Sequence, residues 1–195
     1  MGGIQLDGLI QYLQKAFPVY PDGNTADARL ALEQFGTQNS SIQVLCDPVK
    51  QWSQGDILNI IPFLNFTKDG KVSNFQAPAM IITSTCDLDR KEKIVVCPCF
   101  PLENFKPLNS YSEIPKNNVF EFFFIGSGLT GGEWVVDLSH PMTLLRERVS
   151  KRIQEGNIIR LHSLTQVGWY LFITKFSMKY FRPDDPPTMQ ERQNL

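Results

Sequence analysis

The densest group of reactive side chains in this sequence is Thr83-Ser84-Thr85-Cys86-Asp87-Leu88-Asp89, which brings three hydroxyls, a thiol and two carboxylates together. Such groups serve as nucleophiles and proton carriers in acyl or group transfer. Thr83, Ser84, Cys86 and Asp87 are therefore the candidate catalytic residues. A thiolate at Cys86 needs a neighbouring cation or a helix N-terminus to form at neutral pH, and the adjacent Asp87 acts in the opposite direction. The histidines are His140 and His162, and spacing ties neither to Cys86. Three readings stay open. The segment is a strand cap whose Thr85 and Asp87 bond turn amides and whose Cys86 fills core, a recognition site, or a cysteine-dependent catalytic site.

A second group is basic. Arg146, Arg148, Lys151 and Arg152, with Arg160 beyond them, are the candidate contacts for phosphate or nucleic acid. Arg148 and Arg152 share one helical face, while Glu147 and Glu155 partly neutralise the run. A solvated helix face explains the same pattern. Trp169, Tyr170, Phe172, Phe176, Tyr180 and Phe181 read as core or dimer surface before they read as a base-stacking platform.

The cysteines are Cys46, Cys86, Cys97 and Cys99, with no CxxC pair. Cys86, Cys97 and Cys99 with a histidine could supply four zinc ligands, but the knuckle spacing of structural zinc sites is missing. Buried thiols are the better reading of Cys86, Cys97 and Cys99. We expect neither a metal nor a cofactor.

These groups must be carried by elements that the pattern of apolar residues predicts. Ile4 to Phe17 and Ala26 to Phe35 read as helices, with the polar 37–41 stretch as a connector. From Gln54 the pattern turns to strands, at Asp56–Phe66, Ala77–Thr85, Lys93–Phe100, Val119–Ile125 and Glu133–Leu138. In Val119–Ile125, Phe120, Phe122 and Phe124 alternate with Val119, Glu121, Phe123 and Ile125, so both faces should be covered. A helix from Pro141 to Ile153 follows, stopped by Gly156. Ser163-Leu164-Thr165-Gln166 has capping-box spacing, which predicts a last helix from Ser163 to about Lys179. The polar, proline-rich end should fray.

The chain has 195 residues, 42% hydrophobic and 20% charged, and a net charge of -1. This composition fits one globular domain and excludes a disordered or collagen-like chain. The charge is divided unevenly. Residues 1–139 carry 10 basic and 15 acidic side chains, and residues 140–195 carry 9 and 5. No secretory signal or membrane helix is visible, so we expect a cytoplasmic protein with reduced thiols and no membrane association.

Gly55-Asp56-Ile57 opening a strand, Ala77-Pro78-Ala79 beginning the next and Val96-Cys97-Pro98 on the third resemble the MazF and PemK toxin family. Val119 to Leu138, with a glycine-rich break before Trp134-Val135-Val136-Asp137-Leu138, continues that order. The resemblance covers Gly55 to about Arg148. It implies a small SH3-like β-barrel, paired as a homodimer, in a family whose active members cut RNA without metal. The family's arginine before the first proline is Ala77 here. Its hydroxyl residue after the second proline is replaced by Cys99 and Phe100. Neither Ala77 nor Phe100 can stabilise an anionic phosphorane or move a proton. The Ser/Thr-x-Thr-Cys-Asp run at Thr83 to Asp87 is similar to uncharacterised bacterial and phage proteins.

The expectation is an α+β protein with a helical segment over 1–53, a MazF/PemK-like barrel over 54–139, two C-terminal helices over 140–183 and a flexible tail over 184–195. Its expected role is a non-catalytic binding or interaction module of bacterial or phage origin, in a toxin-antitoxin or phage-defence system, with a protein partner, another copy or nucleic acid as ligand. The alternatives are a ribonuclease using Thr83, Ser84, Asp87 and Arg148, and a Cys86-dependent hydrolase or transferase.

Overall fold

β1 (Leu45–Cys46), β2 (Ile57–Phe66), β3 (Val72–Ile81) and β4 (Lys93–Pro101) are followed by β5 (Phe122–Gly126), β6 (Trp134–Asp137), β7 (Met142–Leu145) and β8 (Arg160–Leu164). The helices are α1 (Thr85–Leu88), α2 (Arg146–Gln154), α3 (Gln166–Tyr180) and α4 (Pro186–Gln193), and two 3₁₀ turns lie at Leu102–Phe105 and Tyr111–Glu113. This computed structural model describes Leu30, Ala31, Glu33 and residues 43–129, 131–180 and 186–193. The expected helix at 4–17 and the connector at 37–41 lie outside the described residues. Of the helix expected at 26–35, Leu30, Ala31 and Glu33 are described and helical, with Ala31 fully buried.

Every pairing is antiparallel, and the strands run in the order β1-β8-β2-β3-β4-β6-β5, with β7 beside β4. The protein is α+β around one eight-stranded sheet. β1 and β5 end the path, and no pairing joins them among the described residues, so the sheet is open.

Strand alternation divides the apolar side chains between the two faces. Ile57, Met80, Cys97, Phe123 and Val136 meet Leu171, Phe172 and Ile173 of α3 on one face. Leu58, Ile61, Phe63, Ala79, Ile81, Ile94 and Val96 pack with Val149 of α2 on the other. A smaller cluster, Leu102, Ile114 and Val135, gathers Phe122 and Phe124. The alternation expected at Phe122–Ile125 therefore holds, with Phe123 and Ile125 in the α3 core, while Val119–Glu121 precede the strand.

Several boundaries differ from the sequence reading. Met142–Leu145 is strand rather than helix, because its backbone completes the ladder with Lys93–Val96. α2 therefore begins at Arg146, and Gly156, with φ at +75°, follows its end as expected. Ser163 lies in β8. Its hydroxyl is taken by Asp56, and Thr165 caps α3 instead, accepting the Gly168 N–H at 3.0 Å. β1 and β8 were not expected, because each is too short or too polar to show a period. Pro186–Gln193 is helical, with no buried residue.

The β1 backbone passes close over the start of α3. A Cβ on Gly168 would sit 2.3 Å from the Val44 carbonyl oxygen, so only glycine allows this approach. Among the described residues no helix is long and apolar enough to cross a membrane.

Candidate functional site

The Thr83–Asp89 segment leaves β3 and makes the single helical turn α1. Its threonines are tied to backbone. Thr83 Oγ1 accepts the Val95 N–H at 2.7 Å, and Thr85 Oγ1 accepts the Gln54 N–H at 3.0 Å. Gln54 adds a second tie, because its Nε2 donates to the Ile82 carbonyl at 2.6 Å and its Oε1 accepts from Trp169 Nε1 at 3.1 Å. The segment is thereby held to β4, to the start of β2 and to α3. Ser84 begins α1 without a side-chain cap, and Ser84 and Cys86 are exposed, so Cys86 does not fill core as expected: the short turn α1 buries Leu88 and turns the thiol outward. The Asp87 carbonyl accepts the Arg90 and Lys91 N–H groups at 3.1 and 2.8 Å.

The nearest approach of the basic run to this turn is Arg146, whose Nε donates to the Lys91 carbonyl at 3.0 Å and whose N–H donates to Glu92 at 2.9 Å. Arg146 thus fastens α2 to the end of α1. Arg148, Lys151 and Arg152 are exposed along α2, and Lys151 lies 3.8 Å from Glu155. His140 stands elsewhere, 2.8 Å from the Leu64 carbonyl oxygen and edge-on to Phe63 and Phe75. His162 lies on β8 opposite Ile57. Cys97 and Cys99 are buried on the α3 side of β4. Burial pushes the Cys97 thiol up to about 12 and raises that of Cys99 as well. Among the described residues no group of three His, Cys, Asp or Glu side chains is placed to hold a metal ion. Comparison with family models and with curated proteins returns no match to this chain.

Arg160 departs furthest from its expected role. It is an internal cation, 13% exposed, with Nε 3.1 Å from Oδ2 of the fully buried Asp56. The contact is ionic rather than a directed hydrogen bond, because the Nε–H does not aim at the oxygen. Its Nη2 donates to the Val49 and Gln51 carbonyls. Asp56 Oδ1 accepts the Ser163 hydroxyl at 2.5 Å, Oδ2 accepts the Ser53 N–H at 3.0 Å, and Ser163 Oγ accepts the Val49 N–H at 3.0 Å. Burial raises the Asp56 pKa, opposed by the bonds from Ser163 and Ser53 and by the Arg160 charge. The network pins the 47–53 segment across β2 and β8.

Two features escaped sequence reasoning. Lys175 of α3 is 1% exposed, and its Nζ donates to the Asn117 carbonyl at 2.5 Å. Burial lowers its pKa to about 8. A lysine one step before Phe176 in an apolar stripe was the available signal. The second is the outer half of the β2–β3 hairpin. Leu64, Phe66 and Val72 are 60%, 75% and 60% exposed there.

Proposed function

We propose that this chain is a binding module that recognises its partner through the projecting β2–β3 hairpin, and that it carries no catalysis of its own. The observation that carries the reading is the exposure of Leu64, Phe66 and Val72 on one face of that hairpin. Phe66 pairs with Val72 across the ladder, so the three side chains form one apolar surface at the tip. Contiguous exposed apolar surface on a folded chain marks interaction sites.

The Thr83–Asp89 turn supports the same reading. Thr83 and Thr85 use their hydroxyls as acceptors for the Val95 and Gln54 amides, which is the work of a strand cap. The resemblance to MazF and PemK proteins suggests the context, a toxin-antitoxin or phage-defence system. We read the antiparallel sheet as a relative of their SH3-like barrel, left open between β1 and β5 among the described residues. Ala77 and Phe100 stand where that family carries its chemistry.

Purified chain incubated with total RNA should leave it intact. Cleavage that disappears with Asp87→Asn or Arg148→Ala would overturn the proposal in favour of a ribonuclease.

A further inference from the structure

We infer that the edge of β3 at Val72–Gln76 receives an extended peptide segment of another protein, which adds to the hairpin as a third strand. The inference rests on the binding-module reading and names the chemistry of its partner.

The two edges of the hairpin are unlike. The Thr67 N–H donates to the Lys71 carbonyl at 2.8 Å, and from that pair the antiparallel ladder alternates. Asn65–Ser73 and Phe63–Phe75 exchange hydrogen bonds, whereas Phe66–Val72, Leu64–Asn74 and Pro62–Gln76 turn their main-chain groups outward. On the β2 edge two of these outward positions are closed. Pro62 has no N–H, and the Leu64 carbonyl accepts from His140 Nε2 at 2.8 Å. Proteins blunt unused strand edges in this way.

The β3 edge has no such protection. β4 pairs with β3 only at Ala79–Ile81 and then turns to β6, so Val72, Asn74 and Gln76 face solvent with both main-chain groups unpaired among the described residues. None of the three is proline or charged. An added strand would hydrogen-bond these groups, and every second side chain would fall on the half-buried Phe75, whose ring lies 5.7 Å from Phe100. The other side chains would extend the apolar surface of Val72 and Leu64.

Area selects the occupant. The open edge, Val72–Gln76, is about 17 Å long. An extended peptide of about five residues covers it, whereas two copies paired over so short an edge fall well under the ~800 Å² per partner of a stable dimer.

The test is selection of a phage-displayed random heptapeptide library on the full chain, followed by synthesis of the recovered sequences. Recovered peptides should carry apolar residues at alternate positions and bind Asn74→Pro about tenfold more weakly than the wild type. The Asn74 N–H points away from β2, so proline there removes a docking donor and leaves the hairpin ladder intact. Amide exchange on the wild-type chain gives an independent reading, with Val72, Asn74 and Gln76 becoming protected when peptide binds. Failure to recover peptides, or equal binding to Asn74→Pro without protection at those amides, overturns the inference. A chain of twice 22.2 kDa by light scattering that Asn74→Pro returns to monomer also overturns it, in favour of a second copy. Peptide binding lost with Phe66→Ser but kept with Asn74→Pro preserves the binding module and removes this site.

Discussion

Lys175→Met should change how the stability of this protein depends on pH. The Lys175 side chain is 1% exposed under the loop that precedes β5, with Nζ 2.5 Å from the Asn117 carbonyl and 5.8 Å from the centre of the Phe120 ring. Burial lowers its pKa from 10.5 to about 8, with Glu121 opposing the shift and Lys179 adding to it. The folded chain therefore releases this proton near pH 8, while the unfolded chain holds it to about 10.5. Between those values the unfolded state binds more protons, so stability rises with pH. A displacement of this size corresponds to about 3 kcal/mol, at roughly 1.4 kcal/mol per pKa unit. Methionine removes the titration and keeps most of the volume. Urea unfolding followed by tryptophan fluorescence at steps from pH 7 to 10.5 measures the effect. The stability of Lys175→Met minus that of the wild type should fall by about 3 kcal/mol across the range. Cys97, Cys99 and Tyr180 have raised pKa values and lower the stability of both proteins at alkaline pH, so they cancel in the difference. Parallel curves for the two proteins would refute the reasoning.

Ser163→Ala leaves Asp56 Oδ1 and the Val49 N–H without their shared partner and should cost about 2 kcal/mol in urea unfolding. Gly168→Ala places a methyl 2.3 Å from the Val44 carbonyl oxygen and should force β1 away from α3, lowering stability by about 2 kcal/mol in the same assay. Iodoacetamide should label exposed Cys86 in the folded chain and reach buried Cys97 and Cys99 only after denaturation, as read by peptide mass spectrometry.

The sequence showed most clearly those elements whose apolar period decides their burial. Phe122–Ile125 alternates in the sequence and in the structure, because each face meets its own cluster. Met142–Leu145 was misread because Leu145 falls in step with Val149 and Ile153 at helical spacing, and nothing local reports that Lys93–Val96 waits beside it. Ser163 was misread for the same reason. Its capping-box spacing is real, yet Asp56, distant in sequence, claims the hydroxyl. Hydrogen bonds between distant segments decided both cases. Local propensity gives way to such contacts.

The uneven charge distribution gains a physical meaning from these contacts. Three cations from the basic C-terminal end reach into the acidic first part of the chain. Arg160 meets Asp56, Arg146 holds the Lys91 carbonyl, and Lys175 holds that of Asn117. Each fastens β8, α2 or α3 to an earlier segment. Arg148, Lys151 and Arg152 stay exposed along α2, beside Glu147 and Glu155. At Arg160, Arg146 and Lys175 the basic end closes the fold on its acidic first part.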